Sequence, residues 1–173
     1  ITGCGRFPEL RRIWLFDPSD ASATRRAVPG FALWQELLDA GEGIDEEYLE
    51  SATAALDADD PINIQYTSGT TGFPTAVELT HHTILNNAYF AARAMHFTAD
   101  DRLCVPVPFY HCFGMVLANL LSLSVGARIV IPGEHFDPLS TLEAIANERC
   151  TAVHGVPTMF VAMLEVSGFA EFD

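Results

Sequence analysis

The stretch Ile62-Asn-Ile-Gln-Tyr-Thr-Ser-Gly-Thr-Thr-Gly-Phe-Pro-Thr-Ala-Val-Glu-Leu79 decides the fold. Its first part, Ile62–Tyr66, alternates apolar and polar residues and therefore predicts a β-strand. Its last part, Ala76–Leu79, predicts a returning strand. The intervening segment, Thr67–Thr75, consists almost wholly of Ser, Thr and Gly. We therefore expect a polar loop held between two strands.

The loop Thr67–Thr75 is the sharpest candidate site in the sequence. Gly69 and Gly72 allow a ligand to approach the backbone closely and allow positive φ angles. Successive N–H groups in such a turn form an anion-binding nest, and the five hydroxyls of the loop add donors, so phosphate is the expected ligand. A flexible linker is the alternative that composition alone favours. Phe73-Pro74 argues against that alternative because it restricts the backbone.

The loop departs from three better-known templates. It lacks the Gly-Lys-Ser/Thr of a Walker loop, and the spacing of Gly69 and Gly72 does not give G-x-G-x-x-G. Ser68 does not lie in a G-x-S-x-G turn, so we do not expect it to be a hydrolase nucleophile.

Strands and helices alternate in the pattern from residue 61 onward. The further predicted strands are Leu103–Val107, Ala127–Ile131 and Thr151–His154, and the predicted helices are His81–Met95, Gly114–Gly126, Asp137–Arg149 and Val156–Val166. This alternation predicts an α/β fold with a largely parallel sheet covered by helices.

Two of these helices carry clear start signals. Thr80 is suited to cap the helix that begins at His81, and Asp137 followed by Pro138 is suited to begin another. In the first of them, five apolar residues share one face. They are Ile84, Leu85, Ala88, Ala92 and Met95.

The first sixty residues follow a different pattern. Arg12–Phe16 predicts a short buried strand, and Phe31–Leu38 predicts a helix that stops at Gly41. A second helix over Ile44–Leu56 is strongly acidic, and scattered carboxylates of this kind indicate a solvated surface. We expect an acidic segment over residues 1–60 and an α/β segment over residues 61–173, as parts of one structural unit.

Composition excludes several classes of function. The 173 residues include 23 Asp and Glu against 9 basic residues, all of them Arg, for a formal net charge of −14. Phosphate-driven binding of nucleic acid needs a basic patch, which this charge excludes. The four cysteines contain no C-x-x-C pair, which favours free thiols in a reducing compartment. The longest apolar stretch, Met115–Val125, is shorter than the roughly 20 residues that span a bilayer.

Three motifs together resemble one family. Tyr66-Thr-Ser-Gly-Thr-Thr-Gly-Phe-Pro74 resembles the phosphate-loop signature of the adenylate-forming superfamily, which includes acyl-CoA synthetases. Pro106-Val-Pro-Phe-Tyr-His-Cys-Phe-Gly-Met115 resembles the second core motif of that family, and His154-Gly-Val-Pro-Thr-Met-Phe160 is similar to a run in fatty acyl-CoA synthetases. The motif sequences are most similar to those of medium-chain acyl-CoA synthetases, and the resemblance covers residues 60–173.

The resemblance implies a reaction and its site residues. A fatty acid and ATP would give acyl-adenylate, from which coenzyme A displaces AMP. The phosphates of ATP would be bound by Thr67, Ser68, Gly69, Thr70, Thr71 and Gly72, with Thr70 next to Mg²⁺. His111 would lie between the acyl and nucleotide sites and position the substrate carboxylate, although a lone histidine beside an apolar segment is more often a packed core residue. Fatty acid, ATP and coenzyme A are the expected partners, in the cytoplasm or peripheral to a membrane.

The sequence also departs from the family pattern. Thr75 follows Pro74 where the family usually has Lys, and a Lys there acts as a point charge on the phosphates. Family members are much longer, so the chain is expected to be an incomplete piece of the N-terminal domain of an acyl-CoA synthetase. We expect the piece to be inactive alone and to pair with a second copy through exposed sheet edges. A degenerate relative that binds nucleotide or acyl chain without catalysis is the alternative, and a purely structural domain is the third.

Overall fold

The computed structural model describes residues 10–16, 31–67 and 72–172. The chain divides into two compact units, Ile1–Leu56 and Asp57–Asp173. Each unit is described by itself below.

The first unit contains two very short strands and two helices. Strands β1 (Trp14–Leu15) and β2 (Ala32–Leu33) pair in parallel, and the helices are α1 (Trp34–Gly41) and α2 (Glu46–Ala54). The prediction of a helix from Phe31 is wrong at its start, because Ala32 and Leu33 pair with β1 and the helix begins only at Trp34. Asp45 begins α2 by accepting a hydrogen bond from the Tyr48 N–H at 2.7 Å.

The second unit begins with a hairpin. Strands β3 (Pro61–Thr67) and β4 (Thr75–Thr80) are antiparallel, which confirms the returning strand. Their register continues to the pair Thr67 and Thr75, so the strands remain paired to the very base of the loop.

Helix α3 (His81–Ala94) follows the hairpin directly. The Thr80 hydroxyl accepts a hydrogen bond from the Thr83 N–H at 3.1 Å, which confirms the predicted cap. Of the apolar face, Ile84, Ala88 and Ala92 are buried. Leu85 and Met95 are exposed, so the buried stripe is narrower than the apolar face.

A parallel sheet of three strands forms the centre of the second unit. It contains β5 (Arg102–Cys104), β6 (Arg128–Val130) and β7 (Ala152–Val153) in the order β6-β5-β7. The helices α6 (Pro138–Glu148) and α7 (Pro157–Leu164) precede and follow β7. The Asp137 carboxylate accepts a hydrogen bond from the Ser140 N–H at 2.8 Å, which confirms the predicted start of α6. The α/β class with parallel strands is therefore confirmed.

A continuous helical segment connects β5 to β6. It comprises α4 (Cys112–Gly114), a π-helix (Met115–Leu120) and α5 (Leu121–Val125), and we call residues 112–125 the composite helix. Its buried residues contribute to two cores. Val116 packs in a cluster with Ile84 and Ala88 of α3, whereas Ala118 packs with Leu103 and other residues at the end of β5. The composite helix therefore lies between α3 and the sheet.

Among the residues that the structure describes, no helix has both the length and the apolar composition needed to cross a bilayer.

Candidate functional site

The hairpin closes the base of the candidate phosphate loop. Thr67 and Thr75 face each other as the last registered pair, and the Thr67 hydroxyl lies 3.5 Å from the Thr75 carbonyl oxygen. Gly72 has a φ of 100°, which lies in the region that glycine adopts without strain. The predicted site residues Ser68, Gly69, Thr70 and Thr71 lie outside the described residues. Thr67 and Gly72 are thus the two predicted loop residues that the structure describes.

His111 begins the composite helix as its N-cap. Its Nδ1 accepts a hydrogen bond from the Phe113 N–H at 3.1 Å. In the neutral imidazole, the nitrogen that accepts cannot carry the proton, so the proton resides on Nε2. His111 is exposed. The alternative of a packed core histidine is therefore wrong, and the ring can offer an Nε2–H donor to a ligand.

A tight backbone turn holds His111 in place. The His111 N–H donates to the Pro108 carbonyl at 3.2 Å, and the Met115 N–H donates to the His111 carbonyl at 2.9 Å. A Cβ atom at Gly114 would lie 2.3 Å from the Pro108 oxygen and 3.1 Å from the Phe109 Cα. Only glycine allows the helix to approach the preceding turn this closely. Gly114 helps to form the site, because the absence of a Cβ at this position allows the close approach that fixes the position of His111.

A cleft of about 410 Å³ opens beside this turn. The chain leaves β5 and β6 at their carboxyl ends, and the cleft lies between these two exits, which is where ligands bind in open α/β sheets. Its walls are Val105–Tyr110 on one side and Ile131 with Gly133–Phe136 on the other. His111 follows the last residue of the first wall. Most of the lining is apolar, so the cleft suits an uncharged part of a ligand.

The hairpin and the His111 turn belong to the same compact unit. The Asn63 amide nitrogen of β3 lies 3.9 Å from the Met115 sulfur of the composite helix. Asn63 precedes Thr67 by four residues, and Met115 follows His111 by four. Since a strand rises about 3.3 Å per residue, this contact places the loop base and the His111 turn on one local scaffold.

His154 begins the third sequence motif, His154–Phe160, and has no predicted role. Its ring stacks on the Phe113 ring with centroids 5.6 Å apart and an angle of 23° between the planes. Burial lowers the pKa of His154 below its ordinary value, and hydrogen bonding to the backbone of Leu117 partly opposes this shift. The ring is therefore neutral near pH 7. The residue on which it stacks, Phe113, donates its N–H to His111.

The buried cysteine of β5, Cys104, does not add a nucleophile to the site. Burial raises the pKa of Cys104 to about 12, and its proximity to Cys150 adds to the shift. A thiol with this pKa is unreactive at neutral pH. In residues 10–16, 31–67 and 72–172, no group of three or more His, Cys, Asp or Glu side chains is arranged to hold a metal ion. His82 binds Asp59 at 3.2 Å on an exposed surface, as a supporting contact near the hairpin.

Comparison with known sequences identifies relatives. The profile of the AMP-binding enzyme family matches residues 16–173. A protein of Bacillus subtilis described as a putative acyl-CoA synthetase, YngI, is 45% identical over 148 residues, which are 86% of this chain and 27% of the relative. A medium-chain acyl-CoA ligase of Danio rerio, the mitochondrial ACSF2, is 38% identical over 170 residues, which are 97% of this chain and 27% of the relative. The chain thus spans about a quarter of the length of the curated relatives it matches.

A solved structure supports the same relationship. ATP-bound MatB from Rhodopseudomonas palustris superposes with a TM-score of 0.59 at 31% sequence identity, over 69% of this chain and 25% of that one. The profile match extends over most of the present sequence and includes the hairpin, the His111 turn and the sheet. On this evidence, the chain belongs to the AMP-binding enzyme family.

Proposed function

We propose that this chain supplies the phosphate loop and the acyl-side histidine for ATP-dependent activation of a fatty acid, through acyl-adenylate to acyl-CoA. The observation that carries the proposal is the His111 turn, which fixes Nδ1 as an acceptor, leaves the Nε2–H on an exposed ring, and directly follows Tyr110 in one wall of the cleft. The acyl-CoA synthetase and ligase names of the relatives supply the reaction class.

Each part of the site has a defined task in this reaction. The Nε2–H of His111 would donate to an oxygen of the fatty acid carboxylate and hold the other oxygen toward the α-phosphorus. The loop from Thr67 to Gly72 would surround the β- and γ-phosphates with N–H and hydroxyl donors, which stabilise the charge of the transition state without reorganising. Mg²⁺, with the Thr70 hydroxyl as a ligand, would neutralise phosphate charge when it is bound.

Two substitutions at His111 test the proposal because they separate the two functions of the ring, acceptance of the Phe113 N–H by Nδ1 and donation by the Nε2–H. His111→Asn retains an oxygen that accepts the Phe113 N–H at the N-cap, but it has no donor at the Nε2 position. His111→Gln retains a donor at greater reach but disturbs the cap. We expect His111→Asn to lower fatty acid-dependent pyrophosphate exchange by about 100-fold, as loss of a positioned donor does, and to leave thermal stability unchanged.

The comparison is made in the complete gene product that contains the chain. His111→Gln should be less stable than His111→Asn and yet retain more exchange activity. Equal activity of His111→Asn and the unsubstituted protein would show that His111 does not touch the substrate.

Thr75 motivates a second candidate function, non-catalytic binding of nucleotide or acyl chain. Thr75 is exposed at the first position of β4, so a lysine side chain fits there without repacking. Thr75→Lys would place a cation at the loop base. Ala76→Lys is the matched control, because successive residues of a strand point to opposite faces.

The two candidate functions predict different results. If the protein is a catalyst that does not need this cation, it carries out pyrophosphate exchange as it is, and Thr75→Lys changes the rate less than about threefold. If the protein is a degenerate binder, it has no exchange activity, and only Thr75→Lys creates it. We further expect the 173-residue chain by itself to lack exchange activity, and robust turnover by the isolated chain would contradict this.

A further inference from the structure

The ring of His154 lies in an aromatic cluster formed by distant parts of the sequence. It stacks on Phe113 of the composite helix and meets Phe97 edge-on, with centroids 6.2 Å apart. Its backbone is fixed independently, because the His154 N–H donates to the Cys104 carbonyl at 3.2 Å. The sheet therefore determines the position of the ring, and the ring in turn provides a fixed surface for Phe113.

Phe113 connects this ring to the candidate catalytic histidine. Its side chain stacks on His154, and its N–H is the donor that His111 Nδ1 accepts at 3.1 Å. The ring and the N–H belong to one residue in the first turn of the composite helix, so a ring that is packed in place restrains the backbone atoms beside it. The packing of the Phe113 ring on His154 therefore helps to keep this N–H within hydrogen-bonding distance of His111.

A histidine is an unusual choice for a simple packing role at this point. The Nδ1 of His154 is buried and has no hydrogen-bond partner among the described residues. Leaving a polar atom buried and unpaired destabilises the fold, and an apolar ring of the same shape would avoid this penalty. The ring nevertheless lies flat against Phe113, so its contribution is the flat stacking surface.

We propose that His154 is a positioning residue for His111: its ring holds Phe113 so that the Phe113 N–H stays on His111 Nδ1 and the Nε2–H stays directed at the substrate. The inference deepens the proposed function and rests on it, since His111 is the residue that would touch the acyl group. His154 itself contacts no substrate.

Three variants of His154 separate the stack from general packing. His154→Phe keeps a flat ring and removes the nitrogens. His154→Leu fills a similar volume without a flat ring, and it provides a folded variant if His154→Ala does not fold. His135→Ala is the matched control, because His135 lies in the other wall of the cleft and forms no part of the aromatic cluster around His154.

The first readout is independent of catalysis. In ¹⁵N NMR spectra of the 173-residue chain, the His111 nitrogens report which tautomer is present, and hydrogen exchange reports the protection of the Phe113 amide. We expect His154→Phe and His135→Ala to retain the Nε2–H tautomer of His111. We expect His154→Leu to mix the tautomers and to lower protection of the Phe113 amide at least tenfold more than that of the amides in α3.

The inference is overturned if His154→Leu leaves the His111 tautomer and the Phe113 amide as in the unsubstituted chain. It is also overturned if protection falls equally throughout the second unit, since that is the result of a purely structural residue.

The second readout links the inference to activity in the complete gene product. His154→Leu should lower kcat for pyrophosphate exchange about tenfold with little change in KM for ATP, whereas His154→Phe should not. If the NMR result is as expected but His111→Asn remains fully active, the positioning is correct and the proposed role of His111 is wrong. The two failures are therefore distinguishable.

Discussion

Gly114→Ala tests whether the close approach of the composite helix to the Pro108–Phe109 turn determines the site. The added Cβ would lie 2.3 Å from the Pro108 oxygen and 2.7 Å from its carbonyl carbon. Ordinary contact distances require the two segments to separate by about 1 Å. The Pro108 atoms that the Cβ would meet belong to the backbone, so no side-chain rotation relieves the clash. The same movement lengthens the hydrogen bond from His111 N–H to Pro108, now 3.2 Å.

The magnitude follows from three opposing effects. Overpacking a well-packed region costs about 1–3 kcal/mol, and loss of one hydrogen bond costs about 0.5–1.5 kcal/mol. Alanine recovers about 0.5–1 kcal/mol relative to glycine in a helix. We therefore expect the free energy of unfolding to fall by about 2 kcal/mol, which lowers Tm by about 4–8 °C for a chain of this size.

Thermal unfolding followed by circular dichroism measures the effect, and Gly133→Ala is its control. At Gly133 the nearest atom to an added Cβ is 3.6 Å away, an ordinary contact. Hydrogen exchange in the Gly114→Ala chain should show the largest loss of protection at His111 and Met115. Equal Tm values for the two variants would refute the reasoning, since the turn would then tolerate the displacement.

Three further predictions use other described groups. Hydrogen bonds from Thr151 and Thr98 lower the pKa of Asp101 below its ordinary value of 3.8. The ionised carboxylate therefore stabilises the fold above the unfolded pKa, and this contribution is lost as the pH falls through the folded pKa. Urea unfolding should show that the chain is more stable than Asp101→Asn at pH 7, and that this difference shrinks below about pH 3.8. Iodoacetamide at pH 8 should modify exposed Cys112 and spare buried Cys104, whose pKa is raised to about 12, until urea unfolds the chain, as peptide mass spectrometry would reveal. Gly72→Ala should lower stability by about 1–2 kcal/mol because φ is 100°, and a stability equal to that of Gly43→Ala would contradict this.

The features predicted correctly from the sequence depend on neighbouring residues. Thr80 and Asp137 cap their helices through hydrogen bonds to N–H groups three residues ahead, so the capping chemistry is contained in a short pattern. The hairpin likewise follows from two alternating segments and a turn-forming loop. The helix that follows His111 is also predicted, although its start is placed at Gly114, two residues later than Cys112, where the helix begins.

The features that the sequence did not reveal depend on distant contacts. The stack between Phe113 and His154 joins residues from two different elements, and no local pattern reports it. Leu85 and Met95 have the spacing of a buried face but remain exposed, because only part of the apolar stripe meets a partner. The pairing of Ala32–Leu33 with β1 overrides the helical periodicity that starts at Phe31. The π-helix over Met115–Leu120 has no distinct apolar spacing.

The charge of the chain determines which interactions could bind an anion at the candidate site. Arg102 and Arg128 begin β5 and β6 in register, at the amino ends of the strands, whereas the cleft and the His111 turn lie at the carboxyl ends. The topology therefore places these two cations at the edge of the sheet away from the site. With a net charge of −14 and no lysine, long-range electrostatics repel a triphosphate, so the proposed binding of ATP would depend on short-range N–H and hydroxyl donors.

This reasoning predicts an unusual salt dependence for ATP binding. Raising the salt concentration from 50 to 200 mM shortens the Debye length and screens the repulsion more than it weakens the short-range donors. Isothermal calorimetry with Mg·ATP should therefore show an affinity that is constant or rises with salt. Thr75→Lys adds an attractive charge at the loop base, so its affinity should fall over the same range relative to that of Ala76→Lys. A fall of more than about threefold in the unsubstituted protein would mean that cations, and not the loop donors, hold the phosphates.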